Sequence, residues 1–70
     1  MPNYDTIIRD LRQSIRDEHG AAAAYRHRAL SADPVTAKLY KHIAKEEDVH
    51  TREFAARLLA VARMARRVNE

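Results

Sequence analysis

The sequence predicts an all-α protein, an antiparallel two-helix hairpin that dimerises into a four-helix bundle. Three observations lead there. The 70 residues include one glycine and two prolines and are rich in alanine, arginine and glutamate, which leaves little material for turns and much for helix. The only strong punctuation is Ser31-Ala32-Asp33-Pro34, near the middle. On both sides of it apolar residues recur at steps of three and four, the spacing of one helical face.

The first helix is expected from about Asp5 to about Ser31, with Asn3 or Asp5 able to cap its start. It must stop there because Pro34 disfavours helical geometry in the residue before it, which leaves 32–33 as the turn. The second helix is expected from about Pro34 to about Val68. Asp33 can cap it, and Pro34 fills a first-turn position where a missing N–H costs nothing. Residues 1–70 therefore form one domain. A lone chain of this size buries little apolar surface, so a disulfide, a metal or a partner is expected to add stability. The absence of cysteine excludes disulfides, thiolate zinc sites and iron–sulfur clusters, and a metal would need His and carboxylate ligands.

In the first helix Ile8, Leu11, Ile15, Glu18, Ala22, Tyr25 and Ala29 mark one stripe, with a carboxylate in its middle. In the second, Leu39, Ile43, Glu47, His50, Phe54, Val61 and Ala65 mark a comparable stripe with Leu58 beside it, again interrupted by polar residues. At about 1.5 Å of rise per residue, a hairpin turning near Ala32 and Asp33 brings Glu18, Glu47 and His50 to one level, about 21–26 Å from the tip. By the same count Tyr25 falls near Tyr40, and Leu11 and Ile15 fall near Phe54.

Carboxylates and an imidazole on a buried stripe are costly unless a cation compensates them. Glu47 and His50 are three apart and share a helix face, and carboxylate plus imidazole suits iron or manganese. A two-fold dimer doubles the set to that of a di-iron carboxylate bundle, a Glu from each of two helices and Glu-x-x-His from each of the others. A Glu-x-x-His also arises readily by chance, so the weight rests on stripe position and level. The competing reading is a hairpin whose Glu and His pair with arginines or with each other at a dimer interface. Glu46 rivals Glu47, since it too lies within a turn of His50.

Glu18 with Tyr25 seven residues on, followed by the EEDVH segment holding Glu47 and His50, resembles the ferritin-like, rubrerythrin-related superfamily. The stretches DEHGAAAAYRHRA and HIAKEEDVHTREFAARLL extend the likeness over about residues 8–60. Conventional members carry four helices in one chain. With two, this sequence is most similar to the encapsulated ferritins, whose metal site forms between two subunits, although its MARRVNE ending departs from an encapsulin-docking tail. The resemblance implies Glu18 as a terminal carboxylate ligand, Glu47 as the bridging carboxylate and His50 as the imidazole ligand. Tyr25 would hydrogen-bond behind them. It also implies two iron ions per dimer, with manganese as the alternative, and a ferroxidase-like activity in which dioxygen or peroxide oxidises iron(II) at Glu18, Glu47 and His50. An encapsulating shell or another partner protein is then expected, in the cytoplasm or inside a protein compartment.

His19, His27 and His42 lie off the stripe and are expected to be exposed or interfacial. Glu53 could help admit metal, but pairing with Arg57 four residues on is the simpler expectation. Tyr40 reads as a core aromatic. Gly20 and Ala21 to Ala24 are helix filler whose small side chains also let helices approach closely. Val61, Met64 and Val68 are expected to overhang the first helix and pack on another subunit, so the protein should be at least a dimer.

A net charge of +3 and a pI near 9.7 make the chain only mildly basic. Nucleic acid is not indicated, because Arg57, Arg63, Arg66 and Arg67 have no interleaved exposed aromatics to stack bases. No apolar run of signal-peptide or bilayer-spanning length occurs, so no membrane role is expected. The contrasting function class is a helical assembly or adaptor module whose basic C-terminal turn binds a partner without metal dependence.

Overall fold

The computed structural model describes residues 2–69 and consists of two helices, α1 (Tyr4–Ala29) and α2 (Pro34–Asn69), with no strand among the described residues. They form an antiparallel hairpin 55 Å long and 14 Å in each cross-section. That length matches the 36 residues of α2 at about 1.5 Å each. No helix is long and apolar enough to cross a membrane.

Asn3, not Asp5, caps α1. Its side-chain oxygen accepts from the Thr6 N–H at 3.1 Å, and its carbonyl accepts from the Ile7 N–H at 3.1 Å. Asp5 occupies the first turn and Arg26, His27 and Arg28 the last, each favourably placed in the field of the helix dipole. The helix ends two residues before the expected Ser31. There Leu30 N–H donates to the His27 carbonyl at 3.1 Å and Ser31 N–H to the Arg28 carbonyl at 3.4 Å. These three-residue bonds tighten the last turn and use up carbonyls that would otherwise have continued the helix.

Asp33 starts α2 as the sequence suggests. Its carboxylate accepts from the Thr36 N–H at 3.1 Å and from the Thr36 hydroxyl at 2.6 Å, while its carbonyl accepts from the Ala37 N–H at 2.8 Å. The Thr36 hydroxyl, then the Thr36 N–H, favour the ionised form and hold this carboxyl below the usual aspartate value.

The α1 stripe packs as expected: Ala22 and Ala29 are buried, and Ile8, Leu11, Ile15, Glu18 and Tyr25 are half-buried. The α2 stripe holds at Glu47, Phe54, Leu58, Val61 and Ala65 and departs from the expected one at Leu39, Ile43 and His50, where Tyr40, Ala44 and Thr51 lie on the seam. Ala44 is buried at 1% exposure, whereas Leu39 is 53% exposed. The face turned to α1 runs through Ala37, Tyr40, Ala44, Glu47, Thr51, Phe54, Leu58, Val61 and Ala65 at alternating steps of three and four. Ile43 and His50 flank this seam, and Leu39 stands clear of it. The reason is packing distance. Fully buried Ala22 and Ala44 present only methyl groups, so the helices are in closest contact through small residues and the bulkier aliphatics lie to the side.

Val61 also departs from expectation. It is 3% exposed within the single hairpin, so the N-terminal end of α1 already covers it and no other subunit is needed. Met64 is half-buried, and Val68 remains 50% exposed. The hairpin core is thin: no large side chain is fully buried, and Leu30, Val35, Leu39, Val49, Leu59 and Val68 are exposed.

Candidate metal centre

The polar layer lies midway along the seam. Glu18 comes from α1, Glu47 and His50 from successive turns of α2, and each offers a ligand atom within 4.8 Å of the others. These are the three residues the sequence singles out by level. Glu47 sits on the seam itself and is half-buried, Glu18 faces it, and His50 reaches in from the flank. His50 Nδ1 lies 3.4 Å from Glu18 Oε2, with 49% of the imidazole and 24% of the glutamate side chain exposed.

First-row metal ions sit about 2.0–2.2 Å from carboxylate oxygen and imidazole nitrogen, so donors to one ion lie about 3–4 Å apart. The cluster, with its ligand atoms within 4.8 Å of one another, is close to that spacing. Its donor set is hard oxygen plus one imidazole, the mixture that suits iron, manganese or zinc. Three donors leave a first-row ion short of the four to six it takes, and half of the His50 side chain is exposed.

The neighbouring candidates have other engagements. Glu46 is exposed and pairs with His42 Nε2 at 2.7 Å, one helical turn back and away from the cluster. Glu53 is exposed, and the ion pairs among the described residues do not include one with Arg57. Tyr25 packs tilted against Tyr40, with ring centroids 5.8 Å apart, and the Arg28 guanidinium lies 5.2 Å from the Tyr25 centroid. The aromatic pair forms the layer on the tip side of Glu18 and Glu47.

Sequence reading missed the ion pair that joins the helices beside the cluster, Arg26 with Asp48. Its signal was present, since Asp48 follows Glu47 directly and Arg26 follows Tyr25. Without the rotation of α2, however, neither could be assigned to the edge of the seam. Both partners are half exposed, so the pair fixes alignment more than it adds stability. Comparison with family models, curated proteins and solved structures finds no match to this chain.

Proposed function

We propose that two hairpins associate through the open side of the Glu18–Glu47–His50 layer into a four-helix bundle, which binds two iron ions and oxidises iron(II). The observation that carries this reading is the convergence of two carboxylates and one imidazole from two helices within 4.8 Å. Two copies supply four carboxylates and two imidazoles, the ligand set of di-iron carboxylate bundles. The thin core and the six exposed large aliphatics also favour association, because a 70-residue hairpin gains most of its remaining stability from apolar surface buried on a second copy.

When bound, an iron(II) pair supplies the electrons that reduce dioxygen or peroxide. The chain's own residues hold and bias that chemistry. Glu18 and Glu47 would hold the ions and supply the negative charge that favours their oxidised form. His50 binds through a lone pair, so its imidazole must be neutral, and ligation releases any proton it carries. Manganese satisfies the same donors.

The test is an anaerobic iron(II) titration of the metal-free protein with oligomer mass followed in parallel, then admission of air or peroxide. Two irons per dimer, dimer formation coupled to binding, and oxidation faster than in protein-free buffer are expected. A helical oligomer that binds no iron would instead support the adaptor reading. That alternative is favoured by the exposed end of α2, where Leu59 is 55% and Val68 50% exposed near Arg66 and Arg67.

A further inference from the structure

We propose that the groove at the hairpin tip lined by Arg26, Leu30, Lys41 and Lys45 docks an acidic segment of a partner protein, which inserts one apolar side chain between flanking carboxylates. The groove encloses about 390 Å³ and is bounded by both helices. Leu30 lies in it at 82% exposure, one of the two most exposed large aliphatics among the described residues. A single exposed leucine on a convex surface needs no explanation. At the edge of a concavity that Arg26, Lys41 and Lys45 also line, it offers an apolar contact beside cations.

The charge distribution selects the partner's chemistry. Residues 26–45 carry Arg26, Arg28, Lys38, Lys41 and Lys45 against the single carboxylate of Asp33, which is committed to Thr36 at the start of α2. This tip therefore holds more positive charge than the +3 net charge of the whole chain. Arg26 is engaged by Asp48, but the ion pairs among the described residues involve neither Lys41 nor Lys45. Two free ammonium groups beside an exposed leucine complement carboxylates beside an apolar side chain.

An anionic membrane surface would use the same charge, yet the shape favours a protein segment. The other prominent tip aliphatic, Val35, is 80% exposed but lies six residues before Lys41, about 120° around α2 from the groove. Val35 is therefore not part of the groove that Leu30 lines. The aromatics closest to the tip, Tyr25 and Tyr40, pack on each other and are half-buried instead of standing out as interfacial anchors. The inference rests on the groove alone and is independent of the metal centre.

The experiment titrates the isotope-labelled full chain with a synthetic peptide carrying one leucine flanked on each side by two glutamates. Amide signals of Leu30, Lys41 and Lys45 should shift, and affinity should fall at least tenfold when the peptide leucine becomes serine. A similar loss is expected for Leu30→Ser and for Lys41→Glu combined with Lys45→Glu, while iron binding by the Leu30→Ser variant stays unchanged. All three positions are exposed, so the helices should persist by circular dichroism. Equal binding of the leucine and serine peptides, or no shift at the groove, would overturn the proposal. So would sedimentation of the chain with phosphatidylglycerol vesicles, but not phosphatidylcholine vesicles, without any response to the peptide.

Discussion

His50 Nδ1 meets Glu18 Oε2 at 3.4 Å although the two residues are 32 positions apart in the chain, and this contact closes the polar layer across the hairpin. Glu47 completes it from the seam of α2. Glu18 is placed by the α1 stripe, and Glu47 and His50 together by the register and rotation of α2.

Removing a donor should remove metal binding without unfolding the helices. Loss of groups that merely orient ligands commonly costs 10–100-fold in metal affinity, so Glu47→Ala or His50→Ala should cost at least about 100-fold. Glu46→Ala should leave iron affinity within a few-fold of the parent, because Glu46 pairs with His42 instead. Isothermal titration with iron(II) under nitrogen, with helix content followed by circular dichroism, checks both. Parent-like binding by the Glu47 variant would sink the site assignment.

Close approach at Ala44 is the packing feature beneath the layer. Ala44 is 1% exposed and Ala22 fully buried, so Ala44→Leu must push the helices apart. Overpacking of this kind costs about 1–3 kcal/mol, and it should also weaken iron binding by separating Glu18 from Glu47. Urea unfolding of the metal-free chain measures the first effect and iron titration the second. An unchanged midpoint would mean that the seam has room to spare.

Gly20 faces open space, since a Cβ built there meets nothing within 4 Å. In mid-helix, alanine is favoured over glycine by about 0.8–1.0 kcal/mol, so Gly20→Ala should raise the urea midpoint of the single hairpin. The bundle reading adds a condition. If the second copy covers this face, the same variant should weaken dimerisation in sedimentation equilibrium while still stabilising the monomer.

Asp33 should make the start of α2 sensitive to acid. Its folded value is depressed by Thr36, so its contribution is fully present above the ordinary aspartate value of about 4. The contribution is lost as pH falls through the lower folded value. Asp33→Asn keeps a capping oxygen but removes this titration, so the melting temperature of the variant should change less than the parent's on acidification below pH 4. Asp33→Ala should melt lower than the parent at neutral pH. Parallel pH profiles for parent and Asp33→Asn would show that other carboxylates control the acid response.

Much of this architecture was legible because it is local. Asn3, Asp33 and Pro34 write the helix starts in short-range chemistry, a capping oxygen three residues before the N–H it accepts from and a proline where no N–H is required. The level of Glu18 with Glu47 and His50, and of Tyr25 with Tyr40, follows from helical rise counted outwards from one turn. The edge that the first half of α2 turns to α1 was not legible. Leu39 and Ile43 are more apolar than Tyr40 and Ala44, so hydropathy alone turned the wrong edge inwards.

By itself, then, the sequence determined two helices, the position of their turn and which polar residues share a level, because each depends on residues a few positions apart and on a fixed rise. Only the tertiary structure decided that Ala22 and Ala44 are the most deeply buried side chains among the described residues, that Glu46 turns to His42 while Glu47 joins Glu18, and that Arg26 reaches Asp48. The physical reason is that helix rotation is set by the shapes of both surfaces together. Small residues permit the nearest approach, and the azimuth of every other side chain follows from where that approach occurs.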